Sequence, residues 1–202
     1  MDWSLLHTLN DFLYRHDAVE DPLVFYIGIS EALFLATLGI ICLAANGPRF
    51  ASWRRAAVAA GFSAALGLAA GALISDLVDR ARPFVADPGG VHLFAAHAAD
   101  AGFPSDHATA AFAIAVAIFL RKRRWGIVAL VASTLLSVGR VAAGLHFPSD
   151  VLAGAALGSA AAICLWLPPI RARIDALADF AGRQWERVLE WGAARLGLAW
   201  RS

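Results

Sequence analysis

Five apolar runs divide this chain, and they constrain its fold more than any other feature of the sequence. They cover residues 23–45, 56–78, 108–120, 125–143 and 151–167. A membrane-spanning helix needs about 20 apolar residues. Four runs reach a spanning length, the last one when it is extended back to Pro148, and the third run is short. Only 16% of the residues are charged, against about 25% in soluble domains. We therefore predict an all-α, polytopic membrane bundle of about five transmembrane helices.

Small residues are common in these runs, so the helices can approach one another closely. Gly67 and Gly71 in the second run, and Gly154 and Gly158 in the fifth, form two pairs with a spacing of four residues. Such pairs either mark specific helix contacts or serve as lipid-compatible filler.

The first 22 residues have an amphipathic pattern. Apolar residues from Trp3 to Leu13 recur at helical spacing, which indicates a short helix lying on the membrane. Pro22 suits the first turn of a helix, so we expect the next helix to begin there.

The last segment of the chain is also amphipathic. Pro168 and Pro169 end the fifth run, and residues 170–202 then alternate arginine with apolar residues. We predict a membrane domain over residues 1–169 and an amphipathic tail helix over residues 170–202. The tail helix lies in the membrane interface or, alternatively, binds a partner.

Charged residues are distributed unevenly between the two sides of the predicted bundle. The loops after the first and third runs carry seven basic residues and no acidic one. The opposite side carries residues 1–22, with five acidic residues, and residues 75–106, with five more. Because loops rich in lysine and arginine stay cytoplasmic, the acidic side is predicted to be extracytoplasmic. The net charge of +1 identifies no partner, and we predict no nucleic-acid partner.

Three polar segments lie at the ends of the apolar runs. DRARPF follows the second run, GFPSDH precedes the third, and GRVAAGLHFPSD joins the fourth to the fifth. With five spans, all three segments lie at the extracytoplasmic face. If the third run did not cross, the last segment would lie on the opposite face. The candidate site residues in these segments are Arg80, Arg82, Ser105, Asp106, His107, Arg140, His146 and Asp150.

Several of these residue types suit the binding of phosphate. The planar guanidinium groups of Arg82 and Arg140 can grip a phosphate through paired hydrogen bonds. Ser105 or Asp106 suits the N-cap of the third run. The free backbone N–H groups in the first turn of that helix form a natural anion site.

The two histidines suit phosphoryl transfer. If Pro148 begins a helix, Asp150 lies within reach of His146 and can orient its imidazole. One imidazole can then attack phosphorus while the other protonates the leaving oxygen, so the site needs no metal. The arginines neutralise charge on the remaining phosphate oxygens.

The three segments closely resemble the signature of the PAP2 family of membrane phosphatases, which is related to the vanadium haloperoxidases. That signature reads K-x6-RP, PSGH and SR-x5-H-x3-D, and the matching stretches here are SDLVDRARP, PSDH and GRVAAGLHFPSD. The resemblance implies that His146 is the nucleophile that forms a phosphohistidine, and that His107 protonates the leaving group. It further implies that Asp150 orients His146. The phosphate-binding residues that it implies are Arg82, Arg140 and the region of Ser105.

The chain departs from this signature at three positions. Ser75 stands where the family has lysine, Asp106 replaces the common glycine, and Gly139 replaces the usual serine. Arg80 is a candidate replacement for the missing cation, and Ser75 is kept as a supporting candidate. The PSDH segment, the missing lysine and the small size resemble the bacterial undecaprenyl pyrophosphate phosphatases of the BcrC type.

That resemblance implies removal of the terminal phosphate of a polyprenyl pyrophosphate on the outer side of the bacterial cytoplasmic membrane. The lipid substrate and the bilayer are the expected partners, and no cofactor is expected. Phosphatidylglycerol phosphate, phosphatidic acid and lipid A 1-phosphate are alternative substrates. A non-enzymatic transporter or scaffold that keeps an anion site is the alternative class of protein. The sequence leaves the oligomeric state open.

Glu31 is an ionisable residue inside the first apolar run. Such a group is costly in a membrane and is a functional candidate by default. We hypothesise that it pairs with Arg82 or Arg80, the alternative being a neutral carboxyl or one that reaches the interface. His92 and His97, in the loop before PSDH, are candidates for the site entrance.

The charge distribution predicts which face of the membrane carries residues 75–106. We expect Gly89→Cys, with Cys42 and Cys164 replaced by alanine, to react with a membrane-impermeant thiol reagent added outside spheroplasts. Arg123→Cys, in a basic loop, should react only after permeabilisation. Labelling of the Gly89→Cys variant from the cytoplasmic side alone would reverse the orientation.

Overall fold

Eight α-helices make up most of residues 2–196, the part of the chain that the computed structural model describes. No β-strand occurs in this range, so the all-α prediction is confirmed. The predicted tail helix extends to residue 202, and its last six residues lie outside the described part. The helices are α1 (Asp2–Tyr14), α2 (Asp17–Ala44), α3 (Ala51–Val78), α4 (Pro83–Ala86), α5 (Asp106–Arg121), α6 (Arg123–Ala142), α7 (Pro148–Leu165) and α8 (Pro168–Arg195).

Four helices, α2, α3, α6 and α7, are long and apolar enough to cross a membrane. They correspond to four of the five apolar runs. The third run forms α5, which has 16 residues. At 1.5 Å per residue α5 is about 24 Å long, shorter than a hydrocarbon core of about 30 Å. By length and composition alone, the described residues therefore supply four spans, not five.

Although short, α5 joins the two ends of the bundle. It contacts α3, α6 and α7. At its start, the backbone N–H of Ser105 donates to the Asp150 carbonyl in the first turn of α7, at 3.1 Å. At its end, Lys122 Nζ donates to Ser52 Oγ in the first turn of α3, at 2.7 Å. α5 therefore runs from the end of the bundle that holds GFPSDH to the opposite end, and α6 brings the chain back to HFPSD. The five-run arrangement requires this path.

Glycines allow α5 to lie close to its neighbours. A Cβ on Gly154 would lie 2.5 Å from the Ser105 carbonyl oxygen, and one on Gly158 would overlap the Thr109 carbonyl oxygen. A Cβ on Gly67 of α3 would approach the Thr109 methyl group to 3.0 Å, whereas Gly71 has ordinary room. Three of the four paired glycines therefore mark specific helix contacts.

The terminal helices pack on opposite ends of the bundle. α1 buries Leu6 and Leu13 at the end that carries the three polar segments. α8 packs beside the start of α3, where Arg55 forms an ion pair with Asp179 through two hydrogen bonds of 2.9 and 2.5 Å. Part of the polar face of α8 therefore contacts α3.

The prediction that a helix begins at Pro22 is wrong, because α2 begins at Asp17. The His16 carbonyl accepts hydrogen bonds from the N–H groups of Val19 and Glu20, and this starts the helix one turn earlier. Pro22 then lies inside α2, where it removes one backbone donor.

The contact between α5 and α7 predicts that Gly158→Ala destabilises the protein. The new methyl group must push α7 away from the α5 backbone, which should lower the free energy of unfolding by about 1–3 kcal/mol. Thermal unfolding of the purified protein in detergent measures this as a lower midpoint. Gly39→Ala in α2, where the methyl group meets no atom within 4 Å, is the matched control. Equal midpoints for the two variants would contradict the packing described above.

Candidate active site

His146 lies at the centre of the candidate site, in the loop between α6 and α7, and is buried. Its Nδ1 donates to the Gly102 carbonyl at 3.0 Å, and its Nε2 lies 2.9 Å from Nη1 of Arg82. An arginine can only donate and a carbonyl can only accept. The partners therefore assign the proton to Nδ1 and leave the lone pair of Nε2 facing Arg82.

Arg140 is the second guanidinium at this nitrogen. Its Nη2 lies 3.4 Å from Nε2 of His146 and 3.2 Å from Nε2 of His97. Arg140 is only 5% exposed, and its Nε has no hydrogen-bond partner. Within residues 2–196, Arg140 forms no ion pair with a carboxylate. A buried cation with an unused donor is a strong feature for anion binding.

Arg82 holds its place through more partners. Its Nε donates to Asp100 Oδ1 at 2.8 Å, and its Nη1 also donates to the Leu145 carbonyl at 3.2 Å. Burial raises the pKa of the Asp100 carboxyl, but hydrogen bonding to Arg82 outweighs this and lowers that pKa overall. An ionised Asp100 thus neutralises Arg82 from the solvent side.

Asp150 is fully buried behind the imidazole, but it makes no hydrogen bond to it. Its Oδ2 lies 3.8 Å from Nδ1 of His146 and instead accepts from the Phe147 N–H at 2.8 Å. The predicted orienting contact is therefore replaced, because the Gly102 carbonyl takes the Nδ1 proton. Asp150 stabilises the loop that carries His146.

Arg80 is placed behind the site, contrary to the expectation that it replaces the missing phosphate cation. Its Nη1 donates to Asp150 Oδ1 at 2.8 Å, and its Nη2 donates to Asp2 Oδ2 at 3.1 Å. Its terminal nitrogens are thus used by acceptors on the side of Asp150. Ser75 lies in the last turn of α3, where its carbonyl accepts from the Asp79 N–H.

The start of α5 brings Ser105, Asp106 and His107 to the same end of the bundle. Ser105 is fully buried, and its hydroxyl caps the helix by accepting from the Ala108 N–H at 3.5 Å. The predicted cap is therefore confirmed. The first-turn N–H groups of such a helix have no partner within the helix itself.

Glu31 does not pair with Arg82 or Arg80, so that hypothesis is wrong. Those arginines already have carboxylate partners. Glu31 instead faces His107, with 4.0 Å between Oε2 and Nε2.

A cavity of about 350 Å³ opens beside this pair, between α2, α3, α5 and α6. Glu31, Asp106 and His107 line its polar end. The remainder is mostly apolar, lined by Phe34, Leu35, Ala64, Leu68, Ala110, Ala111, Ile114 and Leu136, with Ser30 beside them.

Several residues of this site carry little signal in the sequence. His97 reaches Arg140, as a residue at the entrance should, whereas His92 stacks on Tyr14 away from the site. Asp100 and the Gly102 carbonyl were not identified, because a lone loop carboxylate and a backbone carbonyl carry no distinctive sequence signal. Among residues 2–196, no group of three or more His, Cys, Asp and Glu side chains is arranged to hold a metal ion.

The buried imidazole has an altered acidity. Burial lowers the pKa of His146 from 6.5 to about 4, and the nearby Arg140 and Arg82 lower it further while Asp150 opposes them. His146 is therefore neutral at pH 7, the form in which Nε2 can attack an electrophile.

The structure is an all-α protein with four helices apolar enough to cross a membrane, and at one end of the bundle two buried arginines converge on a buried histidine. The sequence profile of the PAP2 superfamily matches residues 56–173, and the chain belongs to this superfamily.

Curated relatives agree with this assignment. Undecaprenyl-diphosphatase BcrC of Bacillus subtilis is 31% identical over 75% of this chain and 76% of its own length. The putative undecaprenyl-diphosphatase YbjG of Escherichia coli is 41% identical over 38% of each chain. A lipid A 1-phosphatase of Rhizobium etli is 40% identical over 32% of this chain and 28% of its own. Family and relatives support a lipid phosphatase, the class of hydrolase that the motifs predict.

The low pKa of His146 predicts the pH dependence of catalysis. An imidazole whose folded-state pKa is depressed to about 4 stays unprotonated as the pH falls through 6.5. The acidic limb of kcat/KM that reports this group should therefore lie well below pH 6.5. Arg140→Gln removes a positive charge beside the imidazole and should move that limb to higher pH. The measurement is a kcat/KM profile from pH 3.5 to 8. A limb near pH 6.5 in the wild type, unmoved in the variant, would contradict the electrostatic description.

Proposed function

We propose that the protein removes the terminal phosphate from a polyprenyl pyrophosphate, converting undecaprenyl pyrophosphate to undecaprenyl phosphate through a phosphohistidine on His146. The observation that carries this proposal is the convergence of Arg82 and Arg140 on the unprotonated Nε2 of His146. A phosphoryl group placed at that nitrogen meets a nucleophile and two guanidinium groups at once.

In the first step, Nε2 of His146 attacks the terminal phosphorus. The bond from phosphorus to the bridging oxygen breaks, and that oxygen takes a proton from the imidazolium of His107. Arg82 and Arg140 hold the oxygens on which negative charge accumulates. Glu31 Oε2 lies 4.0 Å from Nε2 of His107, and in this proposal its negative charge favours the protonated form of that acid.

In the second step, neutral His107 removes a proton from water as the water oxygen attacks the phosphohistidine. The phosphorus–nitrogen bond breaks, its electrons return to Nε2, and inorganic phosphate leaves. The Gly102 carbonyl accepts the Nδ1 proton throughout, so the imidazole keeps one orientation while its charge changes.

The proposed lipid substrate has two supports. Two of the three curated relatives described above are undecaprenyl-diphosphatases by name. The mostly apolar cavity beside His107 can receive the first part of a hydrocarbon chain while the phosphates lie at Arg82, Arg140 and His146. The Rhizobium etli relative favours lipid A 1-phosphate as the second candidate substrate.

We further propose that the site faces the outside of the bacterial cytoplasmic membrane, the periplasm where there is one. Arg121, Lys122, Arg123 and Arg124 lie at the opposite end of α5 from His107, as the rule for basic loops requires. In this proposal residues 1–169 hold the phosphatase unit and residues 170–202 form its tail, whose described part is mostly α8.

Phosphate release from a panel of lipids tests this function. The purified protein in detergent with EDTA should hydrolyse undecaprenyl pyrophosphate faster than lipid A 1-phosphate, phosphatidylglycerol phosphate or phosphatidic acid. His146→Ala removes the nucleophile and should lower kcat by more than about 1,000-fold. His16→Ala, which changes an exposed histidine between α1 and α2, is the matched control and should keep full activity.

Each other outcome points to a specific alternative. No release from any lipid would favour a protein that only binds anions. Loss of activity in EDTA would contradict the metal-independent mechanism. Trapping of a phosphoryl group on His107 in place of His146 would reverse the roles of the two histidines.

A further inference from the structure

Arg80 and the start of α1 form a polar bracket behind the site, made of Asp2, Arg80 and Ser149. Arg80 Nη1 donates to Ser149 Oγ at 2.6 Å and to Asp150 Oδ1 at 2.8 Å. Asp2 accepts from Arg80 Nη2 at 3.1 Å and from the Ser149 N–H at 3.2 Å. The Ser149 hydroxyl also donates to Asp2 Oδ2. The bracket thus joins the first turns of α1 and α7.

Aromatic packing reinforces the bracket. The Arg80 guanidinium lies over the Phe147 ring, 4.2 Å from its centroid, and Trp3 meets the same ring edge-on at 4.8 Å. Phe147 directly follows His146 in the chain. The start of α1 and Arg80 therefore hold the residue next to the proposed nucleophile.

Asp150 depends on the cation that the bracket supplies. Its side chain is fully buried, and Arg80 is the cation that it contacts, at 2.8 Å. Removing one partner of a buried ion pair leaves an uncompensated charge, which is strongly destabilising locally. Because Asp150 Oδ2 accepts from the Phe147 N–H, a shift of Asp150 displaces the loop that carries His146.

Asp2 is ionised at neutral pH. Burial raises the pKa of its carboxyl, but the hydrogen bonds from Ser149 and Arg80 outweigh this and lower that pKa overall. Its carboxylate pairs with Nη2 of Arg80, while Nη1 of the same guanidinium pairs with Asp150.

We propose that Arg80 is a positioning residue that fixes Asp150 and the His146 loop, and that Asp2 makes α1 part of the catalytic apparatus by holding Arg80 in place. This inference rests on the proposed function. The alternative is that Arg80 binds phosphate in place of the lysine missing at Ser75. The geometry opposes that role, because Arg80 lies on the side of Nδ1 whereas Arg82 and Arg140 lie at Nε2.

The test separates catalytic rate from phosphate affinity. We expect Arg80→Gln to lower kcat by about 10–100-fold, as a small misplacement of a reacting group does. Its KM and its inhibition constant for orthovanadate, a phosphate analogue, should stay close to the wild-type values. Arg82→Gln removes a phosphate contact and should raise the orthovanadate constant. Arg15→Gln, an exposed arginine after α1, is the matched control and should behave as wild type.

Two further variants test the bracket itself. Asp2→Asn should lower kcat several-fold without raising the orthovanadate constant, whereas Asp11→Asn in the same helix should not. Arg80→Lys keeps the charge and should recover part of the activity that Arg80→Gln loses. The double variant with Asp2→Asn and Arg80→Gln should have a kcat close to that of Arg80→Gln alone, since both changes break the same hydrogen-bond network. If Arg80→Gln instead raises the orthovanadate constant as Arg82→Gln does, Arg80 binds phosphate and the proposal is overturned.

A structural measurement separates failure of this proposal from failure of the proposed function. Hydrogen exchange in the peptide that covers residues 145–151 should be faster in Asp2→Asn and Arg80→Gln than in the wild type and Asp11→Asn. If the wild type is inactive on every lipid but exchange is still faster in the two variants, the proposed function is overturned and the bracket stands. Asp2 is partly exposed, so the fold tolerates Asp2→Asn more readily than Arg80→Gln. If Asp2→Asn changes neither the exchange rate nor kcat, the bracket is overturned.

Discussion

Two buried guanidinium groups converge on one nitrogen of a buried imidazole, and the other parts of the site support that convergence. Arg82 and Arg140 approach Nε2 of His146 at 2.9 and 3.4 Å. Because neither arginine can accept a hydrogen bond, the nitrogen presents its lone pair and the proton stays on Nδ1. Two like charges held together away from water also repel one another, so the arrangement favours an anion that both can bind. Burial and these two guanidinium groups together lower the pKa of His146 and keep it neutral, and the same guanidinium groups form the proposed phosphate site.

This arrangement depends on the shortest of the apolar helices. α5 carries His107 at its start, and its N-cap residue Ser105 bonds to the backbone of α7. The close approach needs glycine on α7, since a side chain at Gly154 or Gly158 would meet the α5 backbone. The small residues of the sequence therefore do more than suit lipid. They bring the two histidine-bearing helix ends together.

The three arginines of the polar segments have different surroundings, although two of them are only two residues apart. Arg82 and Arg140 are buried at Nε2 of His146, and Arg80 extends toward Asp150 and α1. The chain lacks the lysine of the family signature at Ser75, and Arg80, the candidate replacement, pairs with Asp2 and Asp150. The proposed phosphate grip rests on two guanidinium groups and the start of α5. The third arginine stabilises the loop behind them.

Sequence alone determined the helical membrane class, the approximate bounds of most helices, the cap at Ser105 and the placement of His107, Arg140 and His146 at one end of the bundle. Those features follow from hydropathy, local capping chemistry and short motif spacings, which need no knowledge of distant segments. Only the tertiary structure decided which groups pair. In the structure Glu31 faces His107, and Arg80 pairs with Asp2 and Asp150. Asp100 pairs with Arg82, and Nδ1 of His146 donates to the Gly102 carbonyl. A long charged side chain can reach any of several partners, and packing of segments far apart in the chain selects among them.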